Sequence, residues 1–272
     1  MSIITITHSA FGGGRPLAES VATILDHRCI SREVLIEASQ RYGIPEAKLS
    51  EVLETEPHWW ERWMESLRLY RITLQAAMCE VAQGGKLVYH GRAGQELFPG
   101  VRHVLKVYLS APLEYRIEQV RARKGLSEQA ARQYLEELDR IRTRRIRAVF
   151  GADLRDVTRY DLAVNLARMS VETAAHLIVT AAQREEYQPS PESEQAFRDL
   201  TTSARVQAAL VMNSKTRNLA VNVRVEKGEV QVSGILAQSE LEQAIVAIVK
   251  GVPGVAKVSA QFESPPIEYM YP

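Results

Sequence analysis

Apolar and polar positions along the chain alternate between two regimes. Short runs rich in β-branched residues read as strands buried on both faces: Ile3-Ile4-Thr5-Ile6, Lys86-Leu87-Val88-Tyr89-His90, His103 to Ser110, and Tyr160 to Asn165. Between them lie segments of helical period. These run from Arg15 to about Leu25, from Ser31 to about Arg41, from Glu46 to Glu54, and from about Met64 to Gln83. Three more are marked by their starts: Ala111-Pro112-Leu113-Glu114, Ser127 with an arginine-rich continuation to Phe150, and Ser170 with a continuation to near Tyr187. Asp26 to Ile30 is short enough for a small strand or a loop. Strands alternating with helices predict an α/β domain over residues 1–187, built on a parallel sheet covered by helices on both faces.

The pattern then changes. Gln188-Pro189-Ser190-Pro191-Glu192-Ser193-Glu194 has the composition of a linker, placed at residues 188–196. Beyond it the order reads helix (Phe197 to Met212), strand (Leu219 to Glu226), turn at Lys227-Gly228, strand (Glu229 to Ser233), helix (Ser239 to Lys250) and strand (Val255 to Phe262). Val221, Val223 and Val225 share one face, with Val230 and Val232 across the hairpin. Residues 197–262 therefore form a second, small α+β module, and residues 263–272 an unstructured tail that includes Ser264-Pro265-Pro266.

Composition narrows the reading only a little. The 272 residues carry 34 Lys+Arg against 33 Asp+Glu, a net charge of +1, so no global field points to nucleic acid. Cys29 and Cys79 give neither a disulfide framework nor a metal spacing. The start, Met1-Ser2-Ile3-Ile4-Thr5, lacks the basic segment of a signal peptide, and no apolar run is long enough to span a membrane. A cytoplasmic location is the expectation. Trp59, Trp60 and Trp63 are crowded into five residues. They read as a helical packing patch, with a base-stacking wall or a surface for association of copies of the chain as alternatives.

Candidate chemistry concentrates in one stretch. The first strand runs through His8-Ser9-Ala10-Phe11 into Gly12-Gly13-Gly14-Arg15 and then a helix. A glycine loop feeding a helix offers backbone N–H groups at the positive end of the helix dipole, which suits a phosphate. The nucleotide-binding motif G-x-x-x-x-G-K-[ST] would place Lys where Arg15 stands and a hydroxyl where Pro16 stands. Gly91-Arg92 follows another strand, and ligands of parallel sheets bind beyond the carboxyl ends of their strands. Arg140, Arg142, Arg144, Arg145 and Arg147 lie within eight residues, with Arg140, Arg144 and Arg147 on one side of the helix. They read either as a phosphate-binding cluster or as a solvated face paired with Glu136 and Glu137. His8 reads either as a phosphate contact or as a packed residue.

Taken in order, Gly13-Gly14-Arg15, Ser31-Arg32-Glu33-Val34-Leu35, Gly91-Arg92, Tyr108-Leu109-Ser110-Ala111-Pro112-Leu113-Glu114-Tyr115-Arg116-Ile117, Gly125-Leu126-Ser127-Glu128, Asp139 with Arg142, and Tyr160-Asp161-Leu162 resemble the cytidylate kinase-like family of P-loop nucleoside monophosphate kinases. In the same way, Gly228-x-Val230-x-Val232-x-Gly234 and Val249-Lys250-Gly251-Val252-Pro253-Gly254-Val255 resemble a BON domain. The first resemblance implies ATP and Mg²⁺, with phosphoryl transfer to CMP, dCMP or a related monophosphate. It implies Gly12, Gly13, Gly14 and Arg15 on the donor phosphates, Arg92 on the acceptor, Arg140, Arg144 and Arg147 as further phosphate ligands, and Arg15 with Arg142 as the catalytic pair. No residue is assigned to a metal. The second resemblance implies a lipid, envelope component or protein as partner. A regulatory protein that binds nucleotide without turnover is the alternative function, and a pure scaffold the third.

Overall fold

The computed structural model describes residues 2–46, 60–236 and 239–264, with side chains of the helix that begins at Trp60 described from Leu67 onward. The chain divides into two compact units, Met1–Ser190 and Pro191–Pro272. The first is an α/β unit. Its elements are β1 (Ile3–His8), α1 (Gly14–Leu25), β2 (Arg28–Ile30), α2 (Glu33–Tyr42), α3 (Trp60–Val81) and β3 (Leu87–Gly91). Then come β4 (Val104–Ser110), α4 (Leu113–Lys124), α5 (Glu128–Phe150), β5 (Leu162–Asn165) and α6 (Val171–Ala182). The five strands form one wholly parallel sheet in the order β2-β3-β1-β4-β5. β1 is thus central, with Ile3 opposite both Leu87 and Val104. Ile4, Ile6, Val88, Leu105, Val107 and Leu109 pack beneath Leu17, Val21, Ala175 and Ile178 of α1 and α6.

Several helix starts follow from local chemistry. Ser127 Oγ accepts from the Ala130 N–H at the start of α5, and Ser170 Oγ accepts from Thr173 at the start of α6. At α2 the expected Ser31 cap is replaced. The Glu33 carboxylate instead accepts from the Ser31 N–H, and Arg32 stands at the N-cap position. α6 ends at Ala182, short of the expected Tyr187, which lies in a separate 3₁₀ turn. Residues 47–59, including Trp59 and most of the helix expected over Glu46–Glu54, lie outside the described residues. Trp60 and Trp63 belong to α3, but their side chains are also outside the description.

The second unit comprises α7 (Pro191–Met212), β6 (Val221–Glu226), β7 (Glu229–Ile235), α8 (Ser239–Lys250) and β8 (Lys257–Glu263). α7 begins at Pro191, so 191–196 of the expected linker are helical. Proline at a first helical position costs no hydrogen bond, because that N–H has no intrahelical partner in any case. β6 and β7 pair antiparallel, β7 and β8 parallel. Val206, Leu210, Val230, Val232, Ile245 and Val249 make its core, while Asn222, Arg224, Gln231 and Gln261 are exposed on the other face. The Asp199 carboxylate of α7 accepts from the N–H groups of both Lys227 and Gly228, tying the helix to the hairpin turn. Of the expected tail, 265–272 lies outside the described residues. Among the described residues no helix is long and apolar enough to cross a membrane.

Leu105 is fully buried in β4 at the centre of the first unit's core. Leu105→Ala should cost about 3 kcal/mol of unfolding free energy, read by urea denaturation of the full chain.

Candidate functional site

With β3 on one side of β1 and β4 on the other, the chain changes direction across the sheet at the end of β1. Such a switch point opens a crevice at the carboxyl ends of the strands. His8 ends β1, His90-Gly91-Arg92 ends β3, and Tyr108 to Ser110 end β4. The loop leaving His8 is tight. Gly12 N–H donates to the Ser9 carbonyl at 3.2 Å, and Gly13 takes the N-cap position of α1 with a left-handed φ of 81°. A Cβ on Gly14 would stand 2.1 Å from the His8 ring, so only glycine lets the first turn of α1 settle on that imidazole. Phe11 also has a left-handed φ, of 58°, uncommon for a bulky residue. Its ring packs against the Ile117, Val120 and Leu135 cluster of α4 and α5 and stands edge-on to Tyr134. Burying that ring offsets the backbone strain and fixes the loop's course.

Two cavities meet at this crevice. One, of about 340 Å³, is lined by Ser31, Tyr70, Tyr89 and His90, and the other, of about 680 Å³, by Tyr108, Arg116, Asp139 and Arg155. His8, Ala10, Arg92 and Arg142 line both and form the partition between them. Arg140, Arg144 and Arg147 line the larger cavity. The fold therefore brings together four of the expected phosphate ligands, Arg92, Arg140, Arg144 and Arg147, with Arg142, expected as catalytic. Gly12, Gly13 and Gly14 lie in the adjoining loop, outside the lining of either cavity. Arg15 is placed elsewhere. Its side chain is 77% exposed and its Nε donates to Glu19 at 2.7 Å. Paired-face chemistry operates as well. Arg140 makes a two-pronged contact with Glu137, and Arg147 reaches Asp153 at 2.9 Å. These are exposed, solvent-screened pairs, which an incoming phosphate can displace.

Arg116 and Asp139, both among the residues that carry the family resemblance, meet in a contact that the sequence pattern does not show. Arg116 is 5% exposed, its Nε donating to the Ala10 carbonyl and its two terminal nitrogens to the Asp139 carboxylate, all at 2.7 Å. A signal was present in the spacing. Arg116 falls on the Leu113–Ile117–Val120 stripe of α4, where a charge must have a buried partner.

The two histidines stack with centroids 5.8 Å apart. His8 Nδ1 lies 2.9 Å from the Ser9 carbonyl, which makes Nδ1 the protonated nitrogen and Nε2 the bare one. Neither His8 Nε2 nor His90 Nδ1 has a hydrogen-bond partner among the described residues. Burial pushes the His8 imidazole down to about 4, with the neighbouring His90, Arg142 and Arg92 acting in the same direction against the Ser9 carbonyl. His90 is lowered too, again first by burial. Both rings are neutral near pH 7. A phosphate would fit this site: the α1 N-terminus and the arginines supply donors and positive charge. For a divalent cation, no group of three or more His, Cys, Asp or Glu converges among the described residues.

Comparison with known proteins adds the following. Residues 3–168 match the sequence model of the cytidylate kinase-like family, and residues 198–266 that of the BON domain. The cytidylate kinase of Ignicoccus hospitalis is 26% identical over 179 residues, which cover 65% of this chain and 97% of that protein. The cytidylate kinase of Methanopyrus kandleri is 30% identical over 110 residues, 38% of this chain, and the chain spans only 57% of that relative's length. Among solved structures, an uncharacterized protein from Eubacterium ventriosum superposes with a TM-score of 0.52 at 18% identity. That match covers 66% of this chain and 97% of the other, a likeness of fold.

Two outcomes follow from the site's packing. Below pH 6.5 the unfolded chain takes up a proton at His8 that the folded chain accepts only near pH 4. Stability should therefore fall as pH drops through that window, by about 1.4 kcal/mol per pH unit. Thermal unfolding across that range should show a shallower slope for His8→Gln. Gly14→Ala should displace the first turn of α1 and lower the melting temperature, whereas Gly151→Ala, where a Cβ meets nothing within 4 Å, should cost only the strain of its positive φ.

Proposed function

We propose that this chain, which belongs to the cytidylate kinase-like family, transfers a phosphoryl group from ATP to a nucleoside monophosphate, with CMP and dCMP as the first acceptors. The observation that carries this reading is the convergence of Arg92, Arg140, Arg142, Arg144 and Arg147 beside the glycine loop at the switch point of the sheet. Phosphoryl transfer asks little covalent chemistry of a protein. It needs an in-line arrangement and cations around charge that spreads over the transferring group. In the proposed reaction an oxygen of the acceptor monophosphate attacks the γ-phosphorus, the bond from that phosphorus to the β,γ-bridging oxygen breaks, and ADP leaves.

The roles assigned follow from position. The Gly12–Gly14 backbone and the N-terminus of α1 hold donor phosphates. Arg92 and Arg142, in the partition between the cavities, face the transferring group from both sides. Arg140, Arg144 and Arg147 neutralise the outer phosphate oxygens. Arg15 joins the donor phosphates by leaving Glu19, an exposed and solvent-screened i,i+4 pair that a phosphate outcompetes. Magnesium would travel with the triphosphate, bound mainly through phosphate oxygens and water. Residues 1–187 are assigned to this activity, and 197–262 to a binding module for a lipid, envelope component or protein. ATP as donor, together with two free cysteines, suits a cytoplasmic setting.

One observation favours a second reading, nucleotide binding without turnover. Arg15 points away from the cavities, and no hydroxyl follows it in the chain. A coupled assay with ATP, Mg²⁺ and a panel of monophosphates decides between the two. Turnover with CMP or dCMP should fall about 100-fold in kcat/KM on Arg92→Ala, corresponding to ~2.7 kcal/mol of transition-state stabilisation. Thermal stabilisation by ATP with no ADP formed would replace the kinase by the regulator.

A further inference from the structure

We propose that Arg116 is a positioning residue that locks the glycine loop to the arginine-bearing helix α5, so that phosphate bound at one is felt at the other; this rests on the kinase reading of the site. Arg116 sits on the apolar stripe of α4 and is almost fully buried. A guanidinium in that position is tolerated only when its donors are used. Its Nε holds the carbonyl of Ala10, inside the loop. Its two terminal nitrogens hold the two oxygens of Asp139, a fork-to-fork arrangement that fixes orientation as well as distance. Asp139 immediately precedes Arg140 and lies within two turns of Arg142 and Arg144, with Arg147 just beyond. One side chain thereby spans three elements: the loop, α4 and α5.

A neighbouring contact acts in the same sense. Phe11, next to Ala10, packs on the α4–α5 pair through its strained backbone conformation. The loop cannot shift against α5 without breaking either the Ala10 bond or the two Asp139 bonds of Arg116, and without withdrawing that ring. Arg116 also lines the larger cavity, but its donors are committed inward, to Ala10 and Asp139. It acts through the loop amides and through the arginines that follow Asp139. The carboxylate does two things at once: it neutralises Arg116 and holds the start of the arginine run in place.

The test uses the full chain, with ATP and CMP titrated singly and together by calorimetry, beside the turnover assay. In the wild type each nucleotide should tighten the other's binding. Asp139 is partly exposed, so Asp139→Asn keeps an acceptor beside Arg116 while removing its counter-charge, and a melting curve of the variant sets a temperature at which it is assayed folded. That variant should change each nucleotide's separate affinity little, abolish the mutual tightening, and lower kcat about tenfold. Arg116→Lys, which keeps the charge and loses the fork, should do the same, and Asp139→Glu should recover part of kcat. A fall in melting temperature with coupling and kcat intact in both Asp139→Asn and Arg116→Lys would reduce Arg116 to a structural strut and overturn the proposal. Mutual tightening that is lost in these variants, in a wild type that forms no ADP, would sink the kinase reading and leave the coupling standing. A wild type that binds neither nucleotide would remove both.

Discussion

A parallel strand covered on both faces has no room for a charged side chain and takes polar ones only where they are small. β1 is such a strand: Ile3, Ile4 and Ile6 are buried, and the buried hydroxyl of Thr7 finds its partner in Gln95. With the buried Arg116 and Arg145 of α4 and α5 as exceptions, most of the charge in the first unit is accordingly pushed outward or to the carboxyl ends of the strands. There, β1 flanked by β3 and β4 leaves a crevice open. The glycine loop, His90-Gly91-Arg92 and the arginine face of α5 all converge on that opening. The site follows from the strand order, and the strand order follows from β1 being the most completely buried of the five.

Concentrating arginines at such an opening is a problem of compensation. Like charges one turn apart on a helix repel, and α5 carries five arginines between residues 140 and 147. The molecule deals with them by depth. At the surface, Glu137 and Asp153 take Arg140 and Arg147 in solvent-exposed pairs that are weak and easily exchanged. In the interior, Asp139 takes Arg116 in a two-pronged contact that is costly to break. Exchangeable pairs face the cavity, and the fixed pair holds the frame. The buried neutral histidines fit the same division, since a charged imidazole beside Arg92 and Arg142 would add to the repulsion.

Much of this was legible in the residues themselves. Alternating β-branched runs and helical periods gave the α/β layout, and Ser127 and Ser170 marked two helix starts that their hydroxyls do cap. The triple glycine marked the tight turn from β1 into α1, and the i, i+4, i+7 spacing placed Arg140, Arg144 and Arg147 on one face, where the larger cavity lies. What sequence spacing could not convey was distance across the fold. Arg15 follows the loop, yet it pairs with Glu19 one turn on in its own helix. Arg116 and Asp139 lie 23 positions apart, and only the packing of α4 on α5 shows that they meet. The start of α7 was missed for another reason. Pro191 looks like a break in composition, but at a first helical position it is compatible with the helix.

The pairing of β1 has a bearing on how the chain comes to be folded at all. Ile3 is matched with Leu87 on one side and Val104 on the other. β1 must therefore wait for about half of its unit, to Leu87 for one edge and to Val104 for the other, before its edges are covered. Non-local pairing of this kind slows folding, because loop closure must precede any gain from contact. During that wait Ile3-Ile4-Thr5-Ile6 is an apolar β-strand sequence with two open edges, the kind of segment that chaperones shield and that seeds aggregation when they do not. The second unit faces no such delay, since its helix, hairpin and last strand are near neighbours in the chain.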